Sequence, residues 1–312
     1  MSEQPVGTPP GGPSGPEAAE STATAVRPVP RHASAGAETA TGVVVGVDDS
    51  KSARAAVAWA AVAAQRRGVG LHLVEVLPGP MADTGTPHGR ARALLSRAQG
   101  IARSISPDLE ISMCTRSGRV GPALVAYSAQ ATLLVVGSNG PGGPIPLSLG
   151  SILGEVTSHC ECPVILVPPR AVARPRHEDA PVVVALDEGP DGPSALAFAA
   201  ETAQKRGAAL WVLTGAEASG RDGAGGQSAT SAQAQLAQVR ETHPGLDIHT
   251  ETVTGRVEDA LLSTDARAQL LVVARDRGVG GLASGWARHF LPVLSACPVA
   301  VVSSTVVSGT HA

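Results

Sequence analysis

One stretch decides the fold of this chain: residues Ala131 to Pro169 read ATLLVVGSNGPGGPIPLSLGSILGEVTSHCECPVILVPP. The apolar run Leu133–Val136 is short and β-branched enough to predict a buried parallel strand. A loop rich in glycine and proline follows as far as Gly150, where a helical pattern of apolar residues begins. Pro163 ends that pattern, and Val164–Val167 predicts the next strand. The stretch therefore predicts a strand–loop–helix–strand unit.

The loop of this unit has the chemistry of a phosphate site. Free backbone N–H groups at a helix start attract anions, and glycines such as Gly137 and Gly140 let an anion approach the backbone. A second interpretation needs no ligand, because a βαβ crossover also uses glycines to turn. The loop architecture by itself leaves both interpretations open.

The composition excludes several classes of protein. With 312 residues the chain has room for two domains, and its net charge of −3 gives no indication of a nucleic-acid-binding surface. No stretch approaches the ~18 apolar residues of a membrane span, and the N-terminus lacks a hydrophobic signal core. We therefore expect a cytoplasmic protein that binds neither nucleic acid nor membrane.

The four cysteines do not have the spacing of a disulfide framework or of a paired CxxC zinc site. Cys160 and Cys162, beside His159, could hold a soft metal or form a redox pair. The favoured interpretation is that Cys162 and its counterpart Cys297 are small buried residues, each before the proline that starts a strand. Whether the chain binds a metal through its own side chains stays unknown.

Changes of composition and pattern divide the chain into five parts. Residues 1–41 are rich in Pro, Gly and Ser, which predicts a disordered arm. Residues 42–168 alternate five strand patterns with four helix patterns and predict an open parallel α/β sheet, with the third strand at Leu109–Thr115. A basic linker at 169–180 precedes a second α/β domain at 181–303. Residues 304–312 form a tail.

The second domain repeats the first. VVVALD from Val182 echoes VVVGVD from Val43, LLVVA from Leu270 echoes LLVVG from Leu133, and CPVAVV echoes CPVILV. Two copies of one α/β unit thus make up nearly all of the ordered chain.

Doubly wound sheets bind ligands at the carboxyl ends of their strands, where the strand order reverses. For the order 3-2-1-4-5, the reversal lies between the first and the fourth strand. Asp48 ends the first strand and Gly137 ends the fourth, so both would line one crevice.

These residues resemble the nucleotide-binding signature of the universal stress protein family. Gly137-x2-Gly140-x9-Gly150-Ser151 matches that signature residue for residue, and Asp48 agrees with it. The similarity covers the first domain and, more loosely, the second. It implies two tandem flavodoxin-like lobes of the adenine nucleotide alpha hydrolase-like type, each an open parallel five-stranded sheet of order 3-2-1-4-5.

The resemblance also implies that ATP, with Mg²⁺, binds in the first lobe. The loop from Gly140 to Ser151 would wrap the phosphates, which the Ser151 hydroxyl and the Ile152 N–H would contact. Asp48 and the Val76 backbone would lie near the adenosine end. The nucleotide-binding residues expected on this basis are Val47, Asp48, Ser50, Val76, Val136, Gly137, Gly140, Gly150, Ser151 and Ile152.

The second lobe departs from the signature. Arg277 and Trp286 stand where the first lobe has Gly140 and Ser151, and their side chains would crowd the phosphates. We expect this lobe to bind no ATP and to serve as a structural or regulatory partner. The alternative is a different anion site made by three arginines, Arg275, Arg277 and Arg288.

The two lobes are expected to pair through their last strands, Val164–Val167 and Val299–Val302, because an open apolar edge invites aggregation. Members of the resembled family commonly dimerise in this way, so the tandem chain resembles a covalent dimer. The sequence leaves open whether two chains form a further homodimer.

Two functions compete for the first lobe. The sequence contains no G-x-x-x-x-G-K-[ST] and no G-x-G-x-x-G after its first strand, so P-loop and Rossmann dinucleotide sites are not expected. Phosphoryl transfer depends on charged groups fixed near the γ-phosphate, and beyond Asp48 and Asp49 the lobe offers no obvious one. We assign no catalytic residue and expect an ATP-binding regulator or sensor in the stress response, with an unknown protein partner. A slow ATP-hydrolysing or adenylyl-transferring enzyme is the alternative.

Overall fold

A computed structural model of the chain describes seven ranges, residues 42–77, 85–140, 152–171, 179–186, 189–215, 225–275 and 295–304. The predicted arm at 1–41, all but the first residue of the predicted tail, and most of the predicted linker lie outside these ranges.

Strands and helices alternate along both lobes. The strands are β1 Val43–Gly46, β2 Leu71–Leu77, β3 Ile111–Ser117, β4 Leu133–Gly137, β5 Val164–Val167, β6 Val182–Leu186, β7 Leu210–Gly215, β8 Ile248–Val253, β9 Leu270–Ala274 and β10 Val299–Val302. The helices are α1 Lys51–Arg67, α2 Gly85–Ile105, α3 Val120–Ser128, α4 Ile152–His159, α5 Gly192–Arg206, α6 Gly225–Thr242 and α7 Val257–Thr264, with a 3-10 turn at Pro169–Ala171.

All ten strands form one sheet in the order β3-β2-β1-β4-β5-β10-β9-β6-β7-β8. Each lobe therefore has the predicted order 3-2-1-4-5, and its own strands run parallel. The lobes join through β5 and β10, which are antiparallel with Leu166 opposite Val299. The α/β fold and the pairing of the last strands are confirmed, and the two predicted sheets are continuous with each other.

The third strand begins and ends two residues later than the pattern Leu109–Thr115 predicts. It pairs with β2 along its whole length, from Leu71 opposite Ile111 to Leu77 opposite Ser117. The register with the neighbouring strand therefore fixes the bounds of β3, which local hydrophobicity alone does not reveal.

Helices cover both faces of the sheet, so the central strands are buried on both sides. All four residues of β5 are buried, as are all four of β10. One core lies under α1, α2, α5 and α6, and a second lies under α3, α4 and α7. This explains why the strands read as continuous apolar runs.

Local signals fix both ends of α1. The Ser50 side chain accepts a hydrogen bond from the Ala53 N–H at 3.0 Å and so caps the helix start. Gly68 follows the last turn with φ of 65°, a left-handed conformation that glycine adopts without strain. Ser50 comes two residues after Asp48, so the start of α1 also fixes the turn that leaves β1.

Candidate functional site

The candidate site lies where the strand order of lobe one reverses. β1 pairs with β2 on one side and with β4 on the other, with Val45 opposite Val135. Val47 is buried just beyond the end of β1, and its N–H donates to the Val74 carbonyl at 2.8 Å. The carboxyl ends of β1 and β4 thus open at a common edge of the sheet.

Asp48 lies at this edge and faces the start of the glycine loop. Its Oδ1 accepts a hydrogen bond from the Ser50 N–H at 2.8 Å, which shapes the turn before α1. A Cβ placed on Gly140 would lie 4.0 Å from Asp48 Oδ2. The structure therefore brings the half-buried carboxylate and the glycine together, although they are far apart in sequence.

The first residues of the glycine loop rest directly on the first turn of α1. A Cβ on Gly137 would lie 2.6 Å from Ser52 Oγ and 2.8 Å from the Ala53 nitrogen, so this position has no room for a side chain. Ser52 Oγ donates to the Asn139 carbonyl and accepts from the Asn139 N–H at 3.3 Å. The sequence reasoning missed Ser52, because a serine in the first turn of a helix is unremarkable.

Three of the remaining expected residues lie in the described part of the chain, and two do not. Val136 is buried, and Val76, the second-last residue of β2, is half-buried. Ile152 begins α4 and its side chain is 39% exposed. Gly150 and Ser151 lie outside the described residues, so their predicted roles stay predictions.

Asp49, next to Asp48, is engaged in ion pairs. Its Oδ1 lies 3.2 Å from Arg97 Nη2 and 3.7 Å from Arg54 Nη1. Within the described ranges, no group of three or more His, Cys, Asp or Glu side chains could hold a metal ion.

A buried carboxyl group stands close to the same edge. Glu75 on β2 is 8% exposed, and its Oε2 has no hydrogen-bond partner. Burial raises the pKa of Glu75, and the positive charge of Arg90 opposes that rise. The sequence pattern showed Glu75 only as a polar residue that interrupts the apolar run of β2.

Burial favours a structural role for the cysteines that follow α4 and for their counterpart in lobe two. Cys160, Cys162 and Cys297 are buried free thiols. Burial raises the pKa of Cys160 to about 11 and raises the pKa of Cys162 still further. Since the thiolate is the reactive and metal-binding form, burial favours the structural role predicted for Cys162 and Cys297.

In lobe two, Arg275 follows β9 at the position that Ser138 occupies after β4. Its N–H donates to the Val302 carbonyl at 2.5 Å, as the Ser138 N–H donates to the Val167 carbonyl at 2.9 Å. Arg275 is only 3% exposed, and the alternative anion site, which also needs Arg277 and Arg288, stays a prediction. Arg277, Trp286 and Arg288 lie outside the described residues.

Comparison with known proteins agrees with this geometry. A family model described as the universal stress protein family matches residues 41–168 and 180–303. The chain belongs to the universal stress protein family. One universal stress protein of Mycobacterium tuberculosis is 30% identical over 266 residues, which cover 77% of this chain and 88% of that protein. A second from the same organism is 30% identical over 264 residues, covering 78% and 88%.

A solved structure of a universal stress protein shares the fold. The one from Archaeoglobus fulgidus DSM 4304 matches with a TM-score of 0.65 at 16% identity, over 85% of this chain and 99% of that one. A universal stress protein in complex with cAMP matches at a TM-score of 0.35 and 26% identity, over 41% of this chain and 96% of that one. Each helix that the structure describes is too short or too polar to cross a membrane.

Proposed function

We propose that this universal stress protein binds an adenine nucleotide, ATP with Mg²⁺, in its first lobe only, and that it acts as a regulator or sensor. The observation that carries the proposal is the approach of Asp48 Oδ2 to Gly140 at the carboxyl edge of β1 and β4. This is the place at which doubly wound sheets bind ligands.

The chemistry of the described residues fits such a ligand. Gly140 presents bare backbone next to a carboxylate, in a position where a side chain would enter the crevice. The N-terminus of α4 follows the loop and would supply backbone N–H groups to phosphates. When bound, the nucleotide would bring its own phosphate charge and its Mg²⁺ to the loop and the N-terminus of α4, with Asp48 near the adenosine end.

A single site per chain follows from the differences between the lobes. Where lobe one has Gly140, lobe two has Arg277, and where lobe one has Ser151, lobe two has Trp286. Bulky side chains at both positions oppose the close approach of phosphates. We therefore propose that lobe two is a structural or regulatory partner of lobe one.

A regulatory role is proposed over an enzymatic one because of the charge pairing at the edge. The Asp49 carboxylate is paired with Arg54 and Arg97, and one oxygen of Asp48 holds the turn to Ser50. Nucleotide binding would order residues 138–149 and alter a surface that a partner protein recognises. Hydrogen exchange of that segment should slow at saturating ATP, and unchanged exchange would contradict the regulatory mechanism.

Calorimetric titration of ATP and Mg²⁺ tests the site directly. The wild type should bind one nucleotide per chain, and Gly140→Arg, which copies lobe two, should abolish binding. Gly245→Arg adds the same side chain at an exposed turn of lobe two and should bind normally. No binding to the wild type would refute the proposal, and two sites would refute the assignment to lobe one alone. The cytoplasmic location and a homodimer stay predictions.

A further inference from the structure

A buried arginine connects lobe two to the helix that follows the glycine loop of lobe one. Arg275 Nη1 donates a hydrogen bond to the Cys160 carbonyl at 2.5 Å. Arg275 belongs to lobe two, directly after β9, whereas Cys160 is the first residue after α4 of lobe one. The hydrogen bond therefore crosses the boundary between the lobes.

The backbone of Arg275, from which this contact extends, is held firmly by the sheet. The Arg275 N–H donates to the Val302 carbonyl at 2.5 Å, and β9 is paired along its length with β10. β10 is in turn paired with β5 of lobe one. The backbone of Arg275 is thus fixed by the central part of the sheet, and its guanidinium is held away from solvent.

The contact acts on a helix end. The Cys160 N–H donates to the Val156 carbonyl at 3.1 Å and closes the last turn of α4, so the Cys160 carbonyl lies where the helix dipole is negative. Carbonyl groups at a helix C-terminus lack partners within the helix. A guanidinium is well suited to this position, because it supplies both a donor and a positive charge.

In the part of lobe one that the structure describes, the residue equivalent to Arg275 makes no such contact in return. Ser138 occupies the corresponding position after β4, and its buried Oγ has no hydrogen-bond partner. A serine side chain is also much shorter than an arginine side chain. Of these two equivalent positions, only the one in lobe two contacts the other lobe.

We propose that Arg275 is a positioning residue through which lobe two fixes α4 of lobe one. The helix has eight residues, about two turns, and is ~12 Å long, so its two ends move together. Fixing its C-terminus at Cys160 also fixes its N-terminus at Ile152. That N-terminus is the end at which the proposed nucleotide phosphates bind, so this inference rests in part on the proposed function.

Lobe two has an arginine at a position within its departure from the nucleotide-binding signature, and this arginine stabilises the site in lobe one. Where lobe one carries Ser138 in the stretch Gly-Ser-Asn-Gly, lobe two carries Arg275 in Ala-Arg-Asp-Arg. The second lobe would contribute to nucleotide affinity without touching the nucleotide. A first lobe whose partner lobe carried a serine at the position of Arg275 would lack this contribution to nucleotide affinity.

The test compares Arg275→Met with Arg240→Met in the full chain. Methionine retains much of the volume of arginine and leaves no unpaired buried charge, whereas Arg240 is an exposed residue of α6 and serves as the matched control. Hydrogen exchange of residues 152–160 is measured without nucleotide, and ATP affinity is measured by calorimetry. Arg275→Met should speed exchange in α4 at least about tenfold and weaken ATP binding about tenfold, which is ~1.4 kcal/mol.

Hydrogen exchange tests the positioning role of Arg275, and ATP affinity tests the proposed function, so the two can fail separately. If folded Arg275→Met shows wild-type exchange in α4, the inference is overturned, whatever its ATP affinity. If the wild type binds no ATP, the proposed function fails, while faster exchange in α4 still supports the positioning role. If Arg275→Met does not fold, Arg275→Gln, which stays polar but is too short to reach Cys160, is judged by the same exchange criterion.

Discussion

The guanidinium of Arg206 lies over the indole ring of Trp59, with Cζ 4.9 Å from the ring centroid. Arg67 lies over the Phe198 ring at 5.8 Å. Trp59 and Arg67 belong to α1, whereas Phe198 and Arg206 belong to α5, so each lobe places an arginine on an aromatic ring of the other. Burial, together with repulsion from Arg66 and Arg67, lowers the pKa of Arg206 to about 10.

Because the Arg206–Trp59 contact joins two half-buried side chains, it should contribute to the stability of the pairing between lobes. A double-mutant cycle of Trp59→Leu and Arg206→Met, measured by urea denaturation, should give a coupling energy of about 1 kcal/mol. Arg54 is an exposed arginine of the same helix as Trp59. The cycle of Trp59→Leu with Arg54→Met should be additive, and equal coupling in both cycles would contradict the prediction.

Gly137→Ala should destabilise the protein by about 1–3 kcal/mol, since a new Cβ has to displace Ser52 or the backbone of α1. The distances to Ser52 Oγ and Ala53 N would be 2.6 Å and 2.8 Å. Gly100→Ala, at an exposed position of α2 with no atom within 4 Å of the new Cβ, should stabilise by up to about 1 kcal/mol. Chemical denaturation of both variants checks the signs, and a neutral Gly137→Ala would show that the loop can move off α1.

Glu75→Gln should be more stable than the wild type at pH 7. The pKa of Glu75 is raised in the folded state, so the folded protein binds this proton more tightly than the unfolded chain. Stability from this group is complete below the ordinary pKa of about 4.5 and is lost as the pH rises through the folded pKa. Glutamine does not ionise, so the variant avoids this decrease in the free energy of unfolding.

Urea denaturation of Glu75→Gln at pH 5 and pH 8 measures the effect, with Glu110→Gln at an exposed position as the control. The gain over the wild type should be larger at pH 8 for Glu75→Gln only. An equal gain at both pH values would show that the carboxyl group is solvated.

The buried Cys160 thiol should make stability fall in alkaline solution. Its pKa is raised from 9.0 to about 11, so the unfolded chain loses this proton first as the pH rises. The free energy of unfolding should decrease between about pH 9 and 11, by at most ~3 kcal/mol from this group. Cys160→Ala should lack this part of the decrease. A difference between wild type and Cys160→Ala that does not vary from pH 8 to pH 10.5 would refute the assignment.

Much of the fold could be predicted because its signals are local or follow from topology. Apolar runs such as Val164–Val167 are strands of the expected bounds, and the repeat of VVVGVD as VVVALD marks two equivalent lobes. Asp48 and Gly137 could be placed at one edge because parallel strands that neighbour each other share their carboxyl ends. The strand order 3-2-1-4-5 was sufficient to predict that the two residues are neighbours.

Contacts made by long side chains could not be predicted. Arg275 and Cys160 are 115 residues apart, and Arg97 reaches Asp49 from 48 residues away. An arginine in a sequence ordinarily indicates exposed surface, so neither its burial nor its partner can be read from the residues around it. These contacts depend on how α2 and β9 lie against other elements, which only the tertiary structure provides.

The antiparallel pairing of β5 with β10 gives the two lobes opposite polarity. The carboxyl edge of lobe one opens on one side of the ten-stranded sheet, and the carboxyl edge of lobe two opens on the other. One small molecule therefore cannot bridge both crevices, and two binding partners could approach them without colliding. Any communication between the crevices has to pass through the protein itself, across the β5–β10 pairing or through the side-chain contacts between the lobes.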